Sequence, residues 1–167
     1  MKPLRDQATE GRANPKGIPY LYAATHKETA IAEVRPWIGA YVTVAVLKVQ
    51  ESLRILNCTS RDTEIPLVYF EEPSSAEREG ANWKAIDEAF SRPITANDRL
   101  ANYAPTQILA EEFRKYGFHG LAYHSSRGPG HNIAIFDPNA VAISESMVCL
   151  VRTLSIVAED ATVPHRP

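Results

Sequence analysis

Cysteine is scarce in this sequence, and its scarcity limits the classes of protein that fit. Two cysteines, Cys58 and Cys149, stand among 167 residues, which is too few for a disulfide framework. Each lies in an apolar segment, a setting typical of a buried and unreactive thiol. We therefore expect neither a disulfide-stabilised fold nor a redox function.

Long apolar runs and an excess of one charge are also missing. No apolar run approaches the roughly 18 residues that span a bilayer, and the polar N-terminus lacks the apolar core of a signal peptide. The 18 basic and 20 acidic residues give a formal charge of −2, which gives no reason to expect a nucleic-acid surface. We expect a cytoplasmic protein that binds neither nucleic acid nor membrane directly.

The five histidines do not form a metal-binding pattern. The sequence has no His-x₃-His helix and no paired cysteines. His119 and His124 differ by an odd number within a predicted strand and therefore point to opposite faces. We expect no metal site.

The composition that is present is that of a globular domain. Apolar residues make up 44% and charged residues 23% of the chain, close to globular averages, and 167 residues fit one domain. Repeats and linkers are absent, and predicted strands outnumber helices without regular alternation. This pattern predicts an α+β fold with a mainly antiparallel sheet and flanking helices.

Hydrophobic periodicity and turn residues predict the elements. Strands are predicted over 19–24, 40–50, 53–56, 118–123, 132–136, 141–144 and 148–157, and helices over 25–35, 74–90 and 106–116. We expect 40–50 to be a central strand that 53–56 continues or pairs with, and 57–62 to form a turn.

Two of the helices carry further signals. In the helix over 74–90, Trp83, Ile86 and Phe90 have the spacing of a core face, and Gly117 is expected to end the next helix in the left-handed conformation. That second helix is predicted to turn four side chains inward: Ile108, Leu109, Phe113 and Tyr116.

The N-terminal stretch combines a loop, a strand and a helix that carry unusual side chains. Residues 11–17 form a loop rich in glycine and proline around Arg12, and the strand after it carries Tyr22. The helix is predicted to begin with a capping box of Thr25 and Glu28 and to end before Pro36.

Glu33 lies near the end of that helix, on the border of an apolar face. The face consists of Ala30, Ile31 and Val34, so the carboxylate is neither fully solvated nor fully buried. Ion pairing with an arginine explains a single glutamate of this kind. Arg12 alone is equally explained as a surface arginine. Whether Glu33 and Arg12 form a functional site therefore depends on the other residues found with them.

The order of motifs along the chain supplies that combination. Three motifs stand near the N-terminus: residues 11–17, Leu21-Tyr22-Ala23 and Glu28-Thr29-Ala30-Ile31-Ala32-Glu33-Val34. Four more follow them in the second half of the chain: Tyr103-Ala104-Pro105-Thr106-Gln107, Gly117-Phe118-His119-Gly120-Leu121-Ala122-Tyr123, Ser125-Ser126 and Gly130-His131-Asn132-Ile133. This ordered set, from Gly11 to about Asp137, resembles the RES domain, named for its Arg, Glu and Ser. Many relatives have an aromatic residue where Ala13 stands, so we expect a thinner pocket wall there.

The resemblance implies a fold and an activity. RES domains look like the ADP-ribosyltransferase fold, a split sheet whose cleft holds NAD, here over 11–157 with an N-terminal extension over 1–10 and a frayed tail over 158–167. The implied activity is cleavage of the nicotinamide–ribose bond of NAD by a glycohydrolase or phosphorylase, as the toxin of a pair with a helix-turn-helix (Xre-type) antitoxin. Protein ADP-ribosylation and a non-catalytic binding module are the alternatives.

The resemblance also implies roles for individual residues. Glu33 stabilises an oxocarbenium-like transition state, and Arg12 binds the NAD pyrophosphate through its planar guanidinium group. Further substrate contacts are implied for Tyr22, which would stack on nicotinamide, for Ser125 or Ser126, which would bind the ribose or orient Glu33, and for Asn132, which would hold the loop or contact the ligand. Taken singly, each of these has a bland structural explanation.

A serine hydrolase is the competing catalytic interpretation of the same segment. It would need Ser125 and His124 to meet, but neighbouring side chains in a strand face apart. We therefore favour NAD chemistry and expect water, phosphate or a protein side chain as the acceptor.

Overall fold

The computed structural model describes residues 2–4, 7–59, 72–93 and 103–155. Its strands and helices, in chain order, are β1 (Leu21–Ala24), α1 (Lys27–Glu33), β2 (Tyr41–Val49), β3 (Ile55–Asn57), α2 (Ser75–Ser91), α3 (Ala104–Lys115), β4 (Gly120–His124), β5 (His131–Ile135) and β6 (Val141–Leu150), with a 3₁₀ turn over Pro138–Ala140. Within these residues no helix combines the length and apolarity needed to cross a bilayer.

The strands form two separate sheets, which confirms the α+β prediction of a split, mainly antiparallel arrangement. Four strands pair in the order β1-β5-β4-β3, and β2 pairs with β6 in a two-stranded ribbon. Only the short pairing of β3 with β4 is parallel among the described pairs. Strand β5 therefore lies between β1 and β4. Its pairing with β1 brings the motif Gly130-His131-Asn132-Ile133 next to the N-terminal motif Leu21-Tyr22-Ala23.

Three strand predictions are wrong in their pairing or extent. Strand β2 pairs with β6 alone among the described strands and has no buried residue, so it is not central. Strand β3 pairs with β4 and not with β2. The sequence predicts two strands over 141–144 and 148–157, but the structure has the single strand β6, which ends at Leu150 and is followed by irregular structure over 151–155. Periodicity shows where a strand is but not which strand it pairs with.

The capping box predicted for α1 is also wrong. The helix begins after His26, and no side chain caps it. Thr25 instead faces β5, where its hydroxyl oxygen accepts a hydrogen bond from the His131 amide at 3.0 Å. Long-range strand pairing has overridden the local signal. The helix does end before Pro36, as predicted, but Val34 of its predicted apolar face is 63% exposed.

The ends of α2 and α3 follow their local sequence. Ser74 and Glu77 form a capping box at the start of α2. At the end of α3, Gly117 has φ 80°, its amide donates to the Arg114 carbonyl, and the Phe118 amide donates to the Phe113 carbonyl. This is the Schellman arrangement expected from Gly117.

The main core lies between helices α2 and α3 and the four-stranded sheet. Phe90 of α2 and Ala110 of α3 are fully buried there against Leu121 of β4, and Trp83 and Ile86 pack on the same cluster. The inward positions predicted for α3 are only half right: Leu109 and Phe113 pack on the core, whereas Ile108 and Tyr116 are exposed.

A second, smaller cluster joins the other face of the four-stranded sheet to the ribbon. It contains Leu21, Ile135 and Val141, with Leu47 packed against them. Ala134 belongs to the main core and its neighbour Ile135 to this cluster, as expected when successive strand residues face opposite sides. The predicted tail over 158–167 and residues 60–62 of the predicted turn over 57–62 lie outside the described residues.

Candidate active site

The carboxylate of Glu33, at the last residue of α1, is held by two hydrogen bonds and one ion pair from residues far away in the sequence. Ser125 Oγ donates to Oε1 at 3.0 Å and Asn132 Nδ2 donates to the same oxygen at 2.6 Å. Arg127 Nε lies 3.7 Å from Oε2. A carboxylate at the C-terminal end of a helix meets the negative end of the helix dipole, so these donors offset an unfavourable position.

The loop that carries Ser125 approaches α1 closely. Thr29 Oγ1 donates to the Pro129 carbonyl at 2.6 Å, and a Cβ atom placed on Gly128 would lie 2.7 Å from that hydroxyl and 3.1 Å from Thr29 Cα. Only glycine permits such an approach. The contact fixes the loop over the helix whose last residue is Glu33.

The loop around Arg12 is fixed by the start of α3. Thr106 Oγ1 donates to the Arg12 carbonyl at 2.6 Å, while Gln107 Nε2 donates to the Gly11 and Asn14 carbonyls at 3.0 and 3.1 Å. The threonine and glutamine of the Tyr-x-Pro-Thr-Gln motif therefore fix the loop around Arg12, because they donate hydrogen bonds to its backbone carbonyl groups. Sequence reasoning assigned no role to Thr106 or Gln107, since side chain to backbone contacts over some 90 positions leave no local pattern.

Tyr22 also holds this loop, through its hydroxyl group. Its hydroxyl donates to Asn14 Oδ1 at 2.7 Å and accepts from the Ala13 amide at 3.0 Å. Burial raises the pKa of Tyr22 to about 12, so the hydroxyl stays protonated and able to donate. Tyr22 is not among the residues that line the cleft described below, and its stacking on nicotinamide stays a prediction.

Glu33 and Arg12 line one cleft with a volume of about 200 Å³. Besides these two, the lining residues are Arg35, Phe90, Ser91, Pro93, Tyr123, Ser126, Arg127 and Asn132. The cleft thus presents three guanidinium groups and one carboxylate among its described residues. Planar, permanently charged donors of this kind suit a ligand that carries phosphate groups.

The structure brings most of the predicted site residues together. Glu33, Ser125 and Asn132 are in direct contact, and Arg12 and Ser126 line the same cleft. Ala13 is fully buried in the main core and is not among the residues that line the cleft, so the thinner pocket wall expected at this position stays a prediction.

Two arginines of the cleft were not predicted. Arg127 follows Ser125 by two positions within a loop of turn-forming residues, so the sequence indicates only that it belongs to the turn. Arg35 has a left-handed backbone, φ 49°, which follows the end of α1 and places it in the cleft lining. Proximity to Ser125 was the one available signal for Arg127, and no sequence pattern marks Arg35.

The histidines and cysteines lie in other settings. His119 Nδ1 accepts from the Arg54 amide and His124 Nδ1 contacts Asp87 Oδ2 at 2.6 Å, so Ser125 has Glu33 rather than His124 as its partner. The described residues contain no group of three or more potential ligands that would hold a metal ion. Burial raises the pKa of the Cys58 thiol to about 12, while Cys149 is only partly buried.

The fold and the cleft define a class: a single-domain α+β protein in which three arginines line the same cleft as a hydrogen-bonded glutamate. The model of the RES domain family matches residues 1–157. The chain belongs to this family, which confirms the resemblance seen in its motifs. A comparison with curated proteins returned no match.

Proposed function

We propose that this RES domain cleaves the bond between nicotinamide and ribose in NAD. The observation that carries the proposal is the setting of Glu33, whose carboxylate is braced by Ser125 and Asn132 and lines the same cleft as Arg12. A site built only for stability would not need a carboxylate and several guanidinium groups facing a cavity. A site for a charged dinucleotide needs both.

The chemistry assigned to Glu33 follows from its two oxygens. Breaking the glycosidic bond leaves positive charge on the ribose, and a fixed carboxylate nearby stabilises that charge in the transition state. Oε1 accepts both short hydrogen bonds. Oε2, in the looser contact with Arg127 at 3.7 Å, is therefore the oxygen we assign to the ribose cation.

The arginines are assigned to the phosphates. Arg12 is held by its carbonyl to α3 and through Nη1 to the Ala89 carbonyl at 3.3 Å, which orients the guanidinium group before substrate arrives. Arg127, with 28% of its side chain exposed, provides a second cation on the Glu33 side. Ser126 and Asn132 line the space between and offer hydrogen bonds to the ribose.

The acceptor defines the reaction class, and NAD is a substrate here, with no permanently bound cofactor. Attack by water gives a glycohydrolase, attack by phosphate a phosphorylase, and attack by a protein side chain an ADP-ribosyltransferase. All three acceptors meet the same cation, so one assay with three arms separates them.

Purified chain is incubated with NAD, and nicotinamide release is followed by chromatography. We expect release without phosphate if water is the acceptor. If phosphate is the acceptor, the rate should depend on phosphate and the product should be ADP-ribose 1″-phosphate, and if a side chain is the acceptor, tagged NAD should label protein. Absence of nicotinamide in every arm, with NAD still bound in calorimetry, would show a non-catalytic binding module instead.

A further inference from the structure

Strand β4 extends beyond its parallel neighbour β3, and helix α2 completes the hydrogen bonding that β3 no longer provides. The Cys58 amide, just past β3, donates to the Ala122 carbonyl at 2.8 Å. Two residues on, the amide and carbonyl of His124 point to the same side of β4, where no described strand remains. They are bonded instead by two side chains of α2.

These side chains are Asp87 and Ser91, four positions apart and so on one face of the helix. Asp87 Oδ1 accepts from the His124 amide at 2.9 Å, and Ser91 Oγ donates to the His124 carbonyl at 2.7 Å. Asp87 Oδ2 also meets the His124 imidazole at Nδ1, at 2.6 Å. We call Asp87, Ser91 and His124 the His124 clamp.

The clamp is more than a surface contact. Asp87 is 5% exposed, and a buried carboxylate is costly unless its oxygens are bonded. A contact of 2.6 Å to a ring nitrogen has the length of a charge-assisted hydrogen bond. His124 is thus held at its amide, its carbonyl and its ring by one helix, while its ring also meets the edge of the His131 ring at a centroid distance of 5.0 Å.

His124 is the residue directly before Ser125, and this makes the clamp part of the site. The Ser125 hydroxyl accepts from the Arg127 amide at 3.1 Å and donates to Glu33. We infer that Asp87 and Ser91 are positioning residues, which fix the peptide before Ser125 and thereby aim its hydroxyl at Glu33. The same helix end receives Arg12 at the Ala89 carbonyl, so one element sets both sides of the cleft.

The Arg127 amide provides a test that needs no substrate, because it donates to the hydroxyl whose position is in question. Hydrogen exchange is measured on the full chain without nucleotide. Asp87→Ala and Ser91→Ala should each speed exchange at the Arg127 amide by roughly 10-fold or more, and Ser125→Ala, which removes the acceptor itself, should do the same. Glu88→Ala, the same truncation at the neighbouring exposed carboxylate of α2, should leave that rate unchanged.

A kinetic cycle provides the second test, and this part rests on the proposed function. Asp87→Ala should lower kcat for nicotinamide release by roughly 10- to 100-fold with little change in KM. In a Ser125→Ala background the same substitution should cost nothing further, because its effect passes through the missing hydroxyl. Losses that multiply would mean that Asp87 acts by another route, and would overturn the inference.

The exchange measurement and the NAD assay can contradict different claims, so failure of one can be distinguished from failure of the other. Unchanged Arg127 exchange in both clamp variants overturns the inference whatever the NAD assay shows, and Ser91→Ala decides alone if Asp87→Ala does not fold. Wild-type protein that releases no nicotinamide overturns the proposed function, while the exchange measurement still decides the role of the clamp.

Discussion

Asn132 Nδ2 donates to Glu33 Oε1 over 2.6 Å and joins strand β5 to the end of helix α1 across 99 positions of sequence. The contact exists because β5 pairs with β1, the strand that leads into α1. Asn132 is 8% exposed, so its amide is fixed by its surroundings before any ligand binds. A carboxylate positioned in this way suits electrostatic stabilisation of a transition state.

Glu33→Gln should abolish NAD cleavage and leave the fold intact. The amide keeps the shape and an acceptor oxygen for Asn132, but it lacks the charge that stabilises the oxocarbenium ion, and we expect a loss on the order of 10²-fold or more. Nicotinamide release and thermal melting measure the two effects. Glu28→Gln, an exposed carboxylate on the same helix, is the control. Full activity in Glu33→Gln would contradict the catalytic role, and a lower Tm together with full activity would assign Glu33 to stability.

Arg12→Lys should weaken NAD binding although the charge is kept. A lysine ammonium group cannot reproduce the planar pair of donors that a pyrophosphate meets, and we expect roughly a 10-fold rise in Kd, about 1.4 kcal/mol. Calorimetry with NAD measures it. Arg78→Lys serves as the control, since Arg78 is exposed and pairs with Glu72 at 3.3 Å. Equal affinity in Arg12→Lys and wild type would remove Arg12 from the pyrophosphate.

Gly128→Ala should reduce both activity and stability. The new methyl group would lie 2.7 Å from Thr29 Oγ1, so the loop has to move away from α1, at a cost of about 1–3 kcal/mol. Ser125 moves with the loop, and kcat should fall more than KM rises. Pro129→Ala keeps the carbonyl that Thr29 bonds and should be close to wild type. Normal activity in Gly128→Ala would show that this close approach does not position the site.

Much of the local structure was predictable because its causes are local. The cap at Ser74 and the helix end at Gly117 each depend on residues within five positions, and the end at Gly117 formed as predicted. The ordered motifs likewise named Glu33, Ser125 and Asn132, which the structure places in contact.

The failures share a different cause, which is pairing between distant parts of the chain. Thr25 bonds His131 and not its own helix, and β2 pairs with β6 away from the larger sheet. Asp87 was not predicted as part of the site for the same reason, because its partner His124 lies 37 positions away in the sequence. Periodicity and capping signals contain no information about such partners.

Cys58 should resist alkylation in the folded protein. Its thiol is fully buried, and burial raises its pKa to about 12, so almost none of the reactive thiolate exists at pH 8. Iodoacetamide at pH 8 should therefore modify Cys149 first, and both cysteines only after denaturation, as read by mass spectrometry of peptides. Rapid modification of Cys58 in folded protein would contradict the burial and the redox-inert role expected for it.

A protein inhibitor should bind in the cleft and restrain the enzyme. An unrestrained NAD-cleaving enzyme drains a shared cofactor, and the family resemblance implies a helix-turn-helix (Xre-type) antitoxin as the restraint. The physical basis is the cleft itself: Arg12, Arg35 and Arg127 line it, and a carboxylate from a partner protein can bind such guanidinium groups as a phosphate does. The formal charge of −2 gives no reason to expect a DNA-binding surface on this chain, so we expect any DNA binding to come from such a partner.

Expression in a bacterial host, alone and with each neighbouring open reading frame, tests the inhibitor. We expect growth arrest with the chain alone, relief by Glu33→Gln, and relief by the product of one neighbouring frame. That product should co-purify with the Glu33→Gln variant, whose guanidinium groups are intact, and less well with a variant in which Arg12 and Arg127 are both alanine. Harmless expression of an enzyme that is active in the lysate would contradict the need for a partner, because such a host tolerates the activity without one.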